Sequence, residues 1–163
     1  MAVLKLKDAF EQLPEADKVL VVLSGGLDSS ILTMLLHDAY GANNVVALSY
    51  HYGQKQSVEL EKARALCNEL GIAHKILNLS ILGDIAKPIS ANIGGSSIEM
   101  PTIKDVLGDP QPPTYVPFRN LILLSLTMAQ AEASQASIVF TGLQVHDEYG
   151  YWDTTQKFVD GVN

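Results

Sequence analysis

Cysteine is nearly absent: Cys67 is the only one in 163 residues. That excludes a disulfide framework and a cysteine-built metal site within these residues. Positive charge is scarce too. Eleven lysines and arginines face eighteen carboxylates, a formal net charge of −7. Neutralising a nucleic-acid backbone takes a basic face, so nucleic acid is not expected as the main partner. No apolar run approaches the length of a membrane span. The opening MAVLKLKDAFEQL lacks the unbroken apolar stretch of a signal peptide. A cytoplasmic protein without a membrane partner is expected. Cys67 itself lies in SVELEKARALCNELG, where it reads as a small apolar residue on a packed helix.

The composition is 47% apolar and 18% charged, which fits one globular domain over residues 1–163 with a substantial core. Four short runs read as buried strands: Val19 to Leu23, Val45 to Tyr50, Lys75 to Leu79 and Ser137 to Thr141. Between them apolar residues recur at helical intervals. Ile31, Leu32, Leu35 and Leu36 follow Asp28 and stop at Gly41; Val58, Ala63, Leu66 and Leu70 stop at Gly71; Leu121 to Ala133 forms a third helix. Alternating strands and helices predict an α/β fold, an open doubly wound parallel sheet with helices on both faces. Ligands in such sheets sit beyond the carboxyl ends of the strands, at the switch in strand order. The polar loops SGGLDSS, HYGQKQ and GLQVHDEYG all follow strands. Residues 83–117 carry six of the seven prolines and little periodicity, so a lid or substrate loop is expected there.

In VLVVLSGGLDSS, residues 19–30, an aliphatic strand runs into small polar residues that open a helix. Gly25 and Gly26 let backbone amides approach a ligand. Ser24, Ser29 and Ser30 add hydroxyls, and the partially positive end of the helix that follows favours a phosphate. Asp28 suits such a site by holding a magnesium ion that bridges to the phosphates. Neither the lysine-bearing phosphate loop nor the three-glycine dinucleotide pattern is present.

Ser24-Gly25-Gly26-Leu27-Asp28-Ser29 resembles the pyrophosphate loop of the N-type ATP pyrophosphatases, which adenylate a carbonyl or carboxyl oxygen. Three more stretches narrow the resemblance. YGQKQSVEL (52–60), VPFRNLILLSLTMAQAE (116–132) and TGLQVHDEYGYWDTTQKF (141–158) are similar, in order, to segments of the 7-cyano-7-deazaguanine synthases. An adenine nucleotide alpha hydrolase-like fold is implied, with ATP and magnesium as cofactors. The implied substrates are 7-carboxy-7-deazaguanine, a free deazapurine base, and ammonia. The implied product is the nitrile, formed through adenylated intermediates, and a homodimer is typical of the family.

Ser24, Gly25, Gly26, Leu27, Asp28, Ser29 and Ser30 are then assigned to pyrophosphate and metal, with Lys55 reaching phosphate. Arg119 opens a helix, where a cation opposes the dipole, so it is expected to face a phosphate or the substrate carboxylate. Asn120 pairs either with its neighbours or with a ligand edge. Asp147 is expected to meet the Gly25 loop across the switch point, recognising a purine-like base or holding a metal. Asp153 is either a second acceptor contact or the cap of the helix that Thr154 and Thr155 begin. Tyr151 and Trp152 offer stacking faces or lid packing, and His146 is an acid–base candidate or a bystander. Asp28, Arg119 and Asp147 are the expected catalytic set.

The chain departs from the family pattern in three places. The C-terminal cysteine-rich zinc site has no counterpart in these residues, so either a segment lies beyond them or the chain is a reduced variant. The family's proline-aspartate-cysteine-arginine appears as Trp152-Asp153-Thr154-Thr155, and Phe118 stands where a small residue is usual. Rival readings are another adenylating amide ligase on the same scaffold and a non-catalytic adenine-nucleotide sensor or subunit. A thiouridylase would need catalytic cysteines and a basic tRNA surface.

Overall fold

Val19–Val22 form the first strand, β1, and its alternation builds both cores. The computed structural model describes residues 12–55, 58–102, 112–143 and 152–162. Helix α1 spans Leu27–Tyr40, β2 Val45–His51, α2 Val58–Leu70, β3 Ala73–Asn78 and α3 Ser80–Ala86. Helix α4 covers Arg119–Ser134, β4 Ile138–Phe140 and α5 Gln156–Val162. All strand pairs are parallel, in the order β3-β2-β1-β4.

Successive side chains of a strand point to opposite faces, so β1 feeds two layers. Val19 and Val21, with Val45 and Ala47 of β2, pack on Leu36 of α1 and on Ala63 and Cys67 of α2. Leu20 and Leu48 pack on the other side with Ala131, Leu123 and Leu126 of α4. The parallel, doubly covered sheet read from the sequence is the one observed. Its strand order reverses between β1 and β4, and this sets the ligand crevice at their carboxyl ends.

Boundaries differ in ways that have causes. β3 starts at Ala73, two residues before Lys75, because it pairs with β2 over six residues from Ala73 to Asn78. As an edge strand with no fully buried residue it carries little hydrophobic signal. Helix α4 begins at Arg119 and not Leu121, since its first turn is polar. The low-periodicity stretch holds more order than a free loop. It opens inside α3, and Ser90, Ala91, Ile93 and Val116 are buried. Gln54 and Ile93 form an antiparallel bridge, with Lys55 N–H donating to the Asn92 carbonyl at 2.9 Å and Gly94 N–H to the Gly53 carbonyl at 2.7 Å. Residues 103–111 of that stretch lie outside the described residues.

Candidate functional site

The turn from β1 into α1 is held by its own serines. Ser24 N–H donates to Ser29 Oγ at 3.2 Å, and Gly26 N–H donates to Ser24 Oγ at 3.1 Å. The two hydroxyls lie 3.0 Å apart. Ser30 Oγ donates to the Gly26 carbonyl at 2.8 Å. Gly25 adopts φ +90°, and a Cβ there would overlap the Glu59 carbonyl oxygen at the start of α2. That position needs glycine on both counts.

Beneath this turn lies a polar strut. Ser49 Oγ donates to the Leu23 carbonyl at 2.5 Å, and His74 Nε2 sits 2.8 Å from Ser49 Oγ. The serine's one hydrogen is spent on Leu23, so His74 Nε2 carries the proton between them. Burial, and secondly the Arg64 charge, push the His74 pKa below its ordinary value.

Beyond the strand ends opens a cleft of about 320 Å³, within the range of small-molecule sites. Ser24 and Ser29 line it from the first loop, and Gln54, Lys55 and Glu59 from the β2–α2 connection. Arg119 and Asn120 enter from the start of α4, and Thr141 and Gly142 from the end of β4. Five of the candidate residues, Ser24, Ser29, Lys55, Arg119 and Asn120, therefore meet at one cavity. Gly25 and Gly26 shape the bend behind it. Leu27, 75% exposed, is not among the residues that line the cleft. Asp28 lies at the start of α1, its Cβ 3.9 Å from where a side chain on Gly142 would begin. Ser30 is turned back into its own loop.

Asp153 is a correction to one of the two alternatives open in the sequence. It does not cap the helix that follows it; Thr155 does, its Oγ1 accepting from Phe158 N–H at 3.2 Å. Asp153 is only 1% exposed, lies off the cleft wall, and accepts the Asn120 N–H at 2.9 Å. Trp152 packs edge-on against Phe118 and Phe158, at 5.6 Å and 5.3 Å between centroids. His146, Asp147 and Tyr151 lie outside the described residues.

Sequence reasoning missed Gln54, Glu59 and Asn92. Gln54 had a signal, since it sits in HYGQKQ. Its amide ties the turn, accepting from Tyr52 N–H at 2.9 Å and donating to the Tyr50 carbonyl at 3.0 Å. Asn92 had none, because it is held there by tertiary contacts, its carbonyl accepting the Lys55 N–H at 2.9 Å and its side-chain amide donating to the Thr114 carbonyl at 3.0 Å. Cys67 is buried and desolvation pushes its thiol up to about 11, so it offers no thiolate nucleophile.

A family model described as Queuosine biosynthesis protein QueC matches residues 18–163. The chain belongs to the QueC family. Among curated QueC-type relatives, the 7-cyano-7-deazaguanine synthase of Novosphingobium aromaticivorans is 40% identical over 151 residues, 91% of this chain and 60% of the relative. That of Koribacter versatilis is 34% identical over 158 residues, 93% of this chain and 64% of the relative. The chain thus spans somewhat under two thirds of their length. Among solved structures, the NH3-dependent NAD synthetase of Campylobacter jejuni superposes with TM-score 0.50 at 23% identity, covering 82% of this chain and 50% of that one. The glutamine-dependent NAD+ synthetase of Acinetobacter baumannii gives TM-score 0.53 at 21% identity, covering 82% and 23%. These two share the fold with the QueC-family chain.

Among the described residues no group of three or more histidine, cysteine, aspartate or glutamate side chains is placed to hold a metal, and no helix is long and apolar enough to cross a membrane. The absence of such a group gives zinc no donor set there. Magnesium asks for less, since one or two carboxylates plus ligand phosphates hold it. Asp28, a hard oxygen donor beside the serine turn, fits that requirement.

Proposed function

We propose that the chain carries the ATP-binding part of a 7-cyano-7-deazaguanine synthase, an ATP-dependent carbon–nitrogen ligase acting in the cytoplasm. The observation that carries this reading is the convergence of the β1–α1 serine–glycine turn with Arg119 on one cleft at the switch point, in a chain of the QueC family.

A carboxylate does not react with ammonia, because it repels nucleophiles and has no leaving group. In the proposed reaction a carboxylate oxygen of 7-carboxy-7-deazaguanine attacks the α-phosphorus of ATP and expels pyrophosphate. Ammonia then displaces AMP, loses a proton and leaves the amide. The amide oxygen attacks a second ATP in the same way, and departure of AMP with that oxygen, and loss of the remaining N–H protons, gives the nitrile.

The protein's share is positioning and charge neutralisation. The first turn of α1 and the amides of Gly25 and Gly26 receive the departing pyrophosphate, exchanging the loop's internal bonds for bonds to phosphate oxygens. Lys55 and Arg119 offset its charge, and Arg119 also suits a bidentate contact to the substrate carboxylate. Magnesium, held by Asp28 and the phosphates, would lower the charge at the reacting phosphorus. Asn120 and Asp147 remain the proposed contacts to the base, with Tyr151 as a stacking face. No step is assigned to zinc.

The test mixes the full chain with ATP, magnesium, 7-carboxy-7-deazaguanine and ammonium, and follows AMP and base products by mass spectrometry. AMP and the nitrile are expected, with turnover reduced about a hundredfold in Arg119→Ala, as for removal of a charge-stabilising group. Amide as the sole product would make it a one-step ligase, and nucleotide binding without turnover a sensor. No affinity for adenine nucleotides would end the proposal.

A further inference from the structure

The entry to α4 is built in an unusual way. Its N-cap residue, Phe118, has φ 51° and ψ 24° and supplies no side-chain cap. A bulky residue in the left-handed region is strained. The next residue, Arg119, puts a cation at the helix's positive end, which is unfavourable on electrostatic grounds alone. Left to itself, this turn would fray, and Arg119 and Asn120, which line the cleft, would lose their placement.

What holds it comes from 33 residues further along. Asp153 Oδ2 accepts the Asn120 N–H at 2.9 Å, from a carboxylate only 1% exposed. A buried carboxylate is tolerated only when hydrogen-bonded, and here its charge also faces the positive end of α4. The neighbouring Trp152 meets Phe118 edge-on at 5.6 Å and donates Nε1–H to Tyr115 Oη at 3.3 Å. The same Tyr115 oxygen accepts Phe118 N–H at 3.1 Å. Phe118 and Asn120, on either side of Arg119, are thus pinned at three points, two of them supplied by the segment after β4.

We propose that Asp153 and Trp152 form a latch that sets Arg119 and Asn120 in the cleft, with Asp153 a positioning residue acting through the Asn120 amide and not a ligand contact. The inference rests on the reading of the cleft as a nucleotide site. It makes docking of the segment after β4 a condition for Arg119 to face the phosphates.

Trp152 is the chain's only tryptophan, so its emission reports the latch directly. The experiment compares the full chain with Asp153→Ala and Asp153→Asn, each alone and with Arg119→Ala. It reads tryptophan emission, hydrogen exchange at the start of α4, and calorimetric affinity for ATP with magnesium. Asp153→Ala is expected to shift the emission to the red, speed exchange at Asn120, and weaken ATP about tenfold, the ratio for a lost bond to a charged acceptor. In the Arg119→Ala background that further loss should vanish, because Asp153 acts through the same turn. Asp153→Asn keeps an oxygen for the amide and should restore most of the protection and affinity. Unchanged exchange and emission in Asp153→Ala, or losses that multiply with Arg119→Ala, would overturn the latch. If the wild-type chain binds no ATP, the nucleotide reading fails while exchange and emission still decide the latch. Should Asp153→Ala not fold, Tyr115→Phe removes the shared hydroxyl. Unchanged exchange at Phe118 in that variant would overturn the proposal equally.

Discussion

Gly25 carries two demands that no other residue type meets together. Its φ of +90° is unfavourable for any side chain, and the Glu59 carbonyl occupies the place where a Cβ would stand. Gly25→Ala is therefore expected to cost at least about 2 kcal/mol of stability, read by urea unfolding, and to abolish nucleotide affinity in calorimetry. A variant as stable as the parent would show that the turn adapts freely. Half of this was legible in the sequence. SGG after an aliphatic strand announces a turn where backbone meets ligand, but nothing in the letters says that Gly25 also makes room for the start of α2. Asp153 teaches the same lesson from the other side. Its sequence neighbourhood offered a local cap or a ligand contact, whereas the partner it found, the Asn120 amide, is set by tertiary docking that no local pattern encodes.

At the scale of elements, the strut Ser49–His74 joins β2 and β3 to the last carbonyl of the β1 run. Ser49→Ala leaves the Leu23 carbonyl and the His74 N–H without these partners, and should cost about 1–3 kcal/mol in urea unfolding. His74 also gives a pH signature. Its folded pKa lies below the ordinary 6.5, so between the two values the unfolded chain binds the extra proton. The stability contribution is present above pH 6.5 and is lost as pH falls toward and through the folded value. Urea midpoints measured from pH 7.5 downward should decline below about 6.5, and His74→Gln should flatten that decline. An unchanged slope in the variant would assign the effect to other groups. Most elements were legible because α1, α2 and α4 repeat apolar residues at helical spacing and β1 and β2 are continuous aliphatic runs. Helix α3 was not: it has only seven residues, and Ile81 and Ile85 point to solvent, so its pattern does not announce a buried face.

For the whole molecule, a formal charge of −7 should keep the chain off nucleic acid. Bulk tRNA is expected to show no mobility shift with it at about 0.15 M salt, where binding depends on phosphate neutralisation. Micromolar retention that weakens steeply with added salt would contradict this. The doubly wound architecture and its switch point followed from strand and helix alternation, and the loops after β1 and β2 and the start of α4 do gather at one cleft. Two main-chain contacts give that gathering a mechanical sense. The Glu59 carbonyl abuts Gly25, and at the other end of the β2–α2 connection the Tyr52 carbonyl abuts Gly83 so tightly that a side chain on Gly83 would overlap it. Backbone bears on backbone at both points, with no pliable side chain to absorb a displacement. A side chain at either glycine would therefore force main chain aside, so the seating of the serine turn and that of α3 each depend on a missing Cβ.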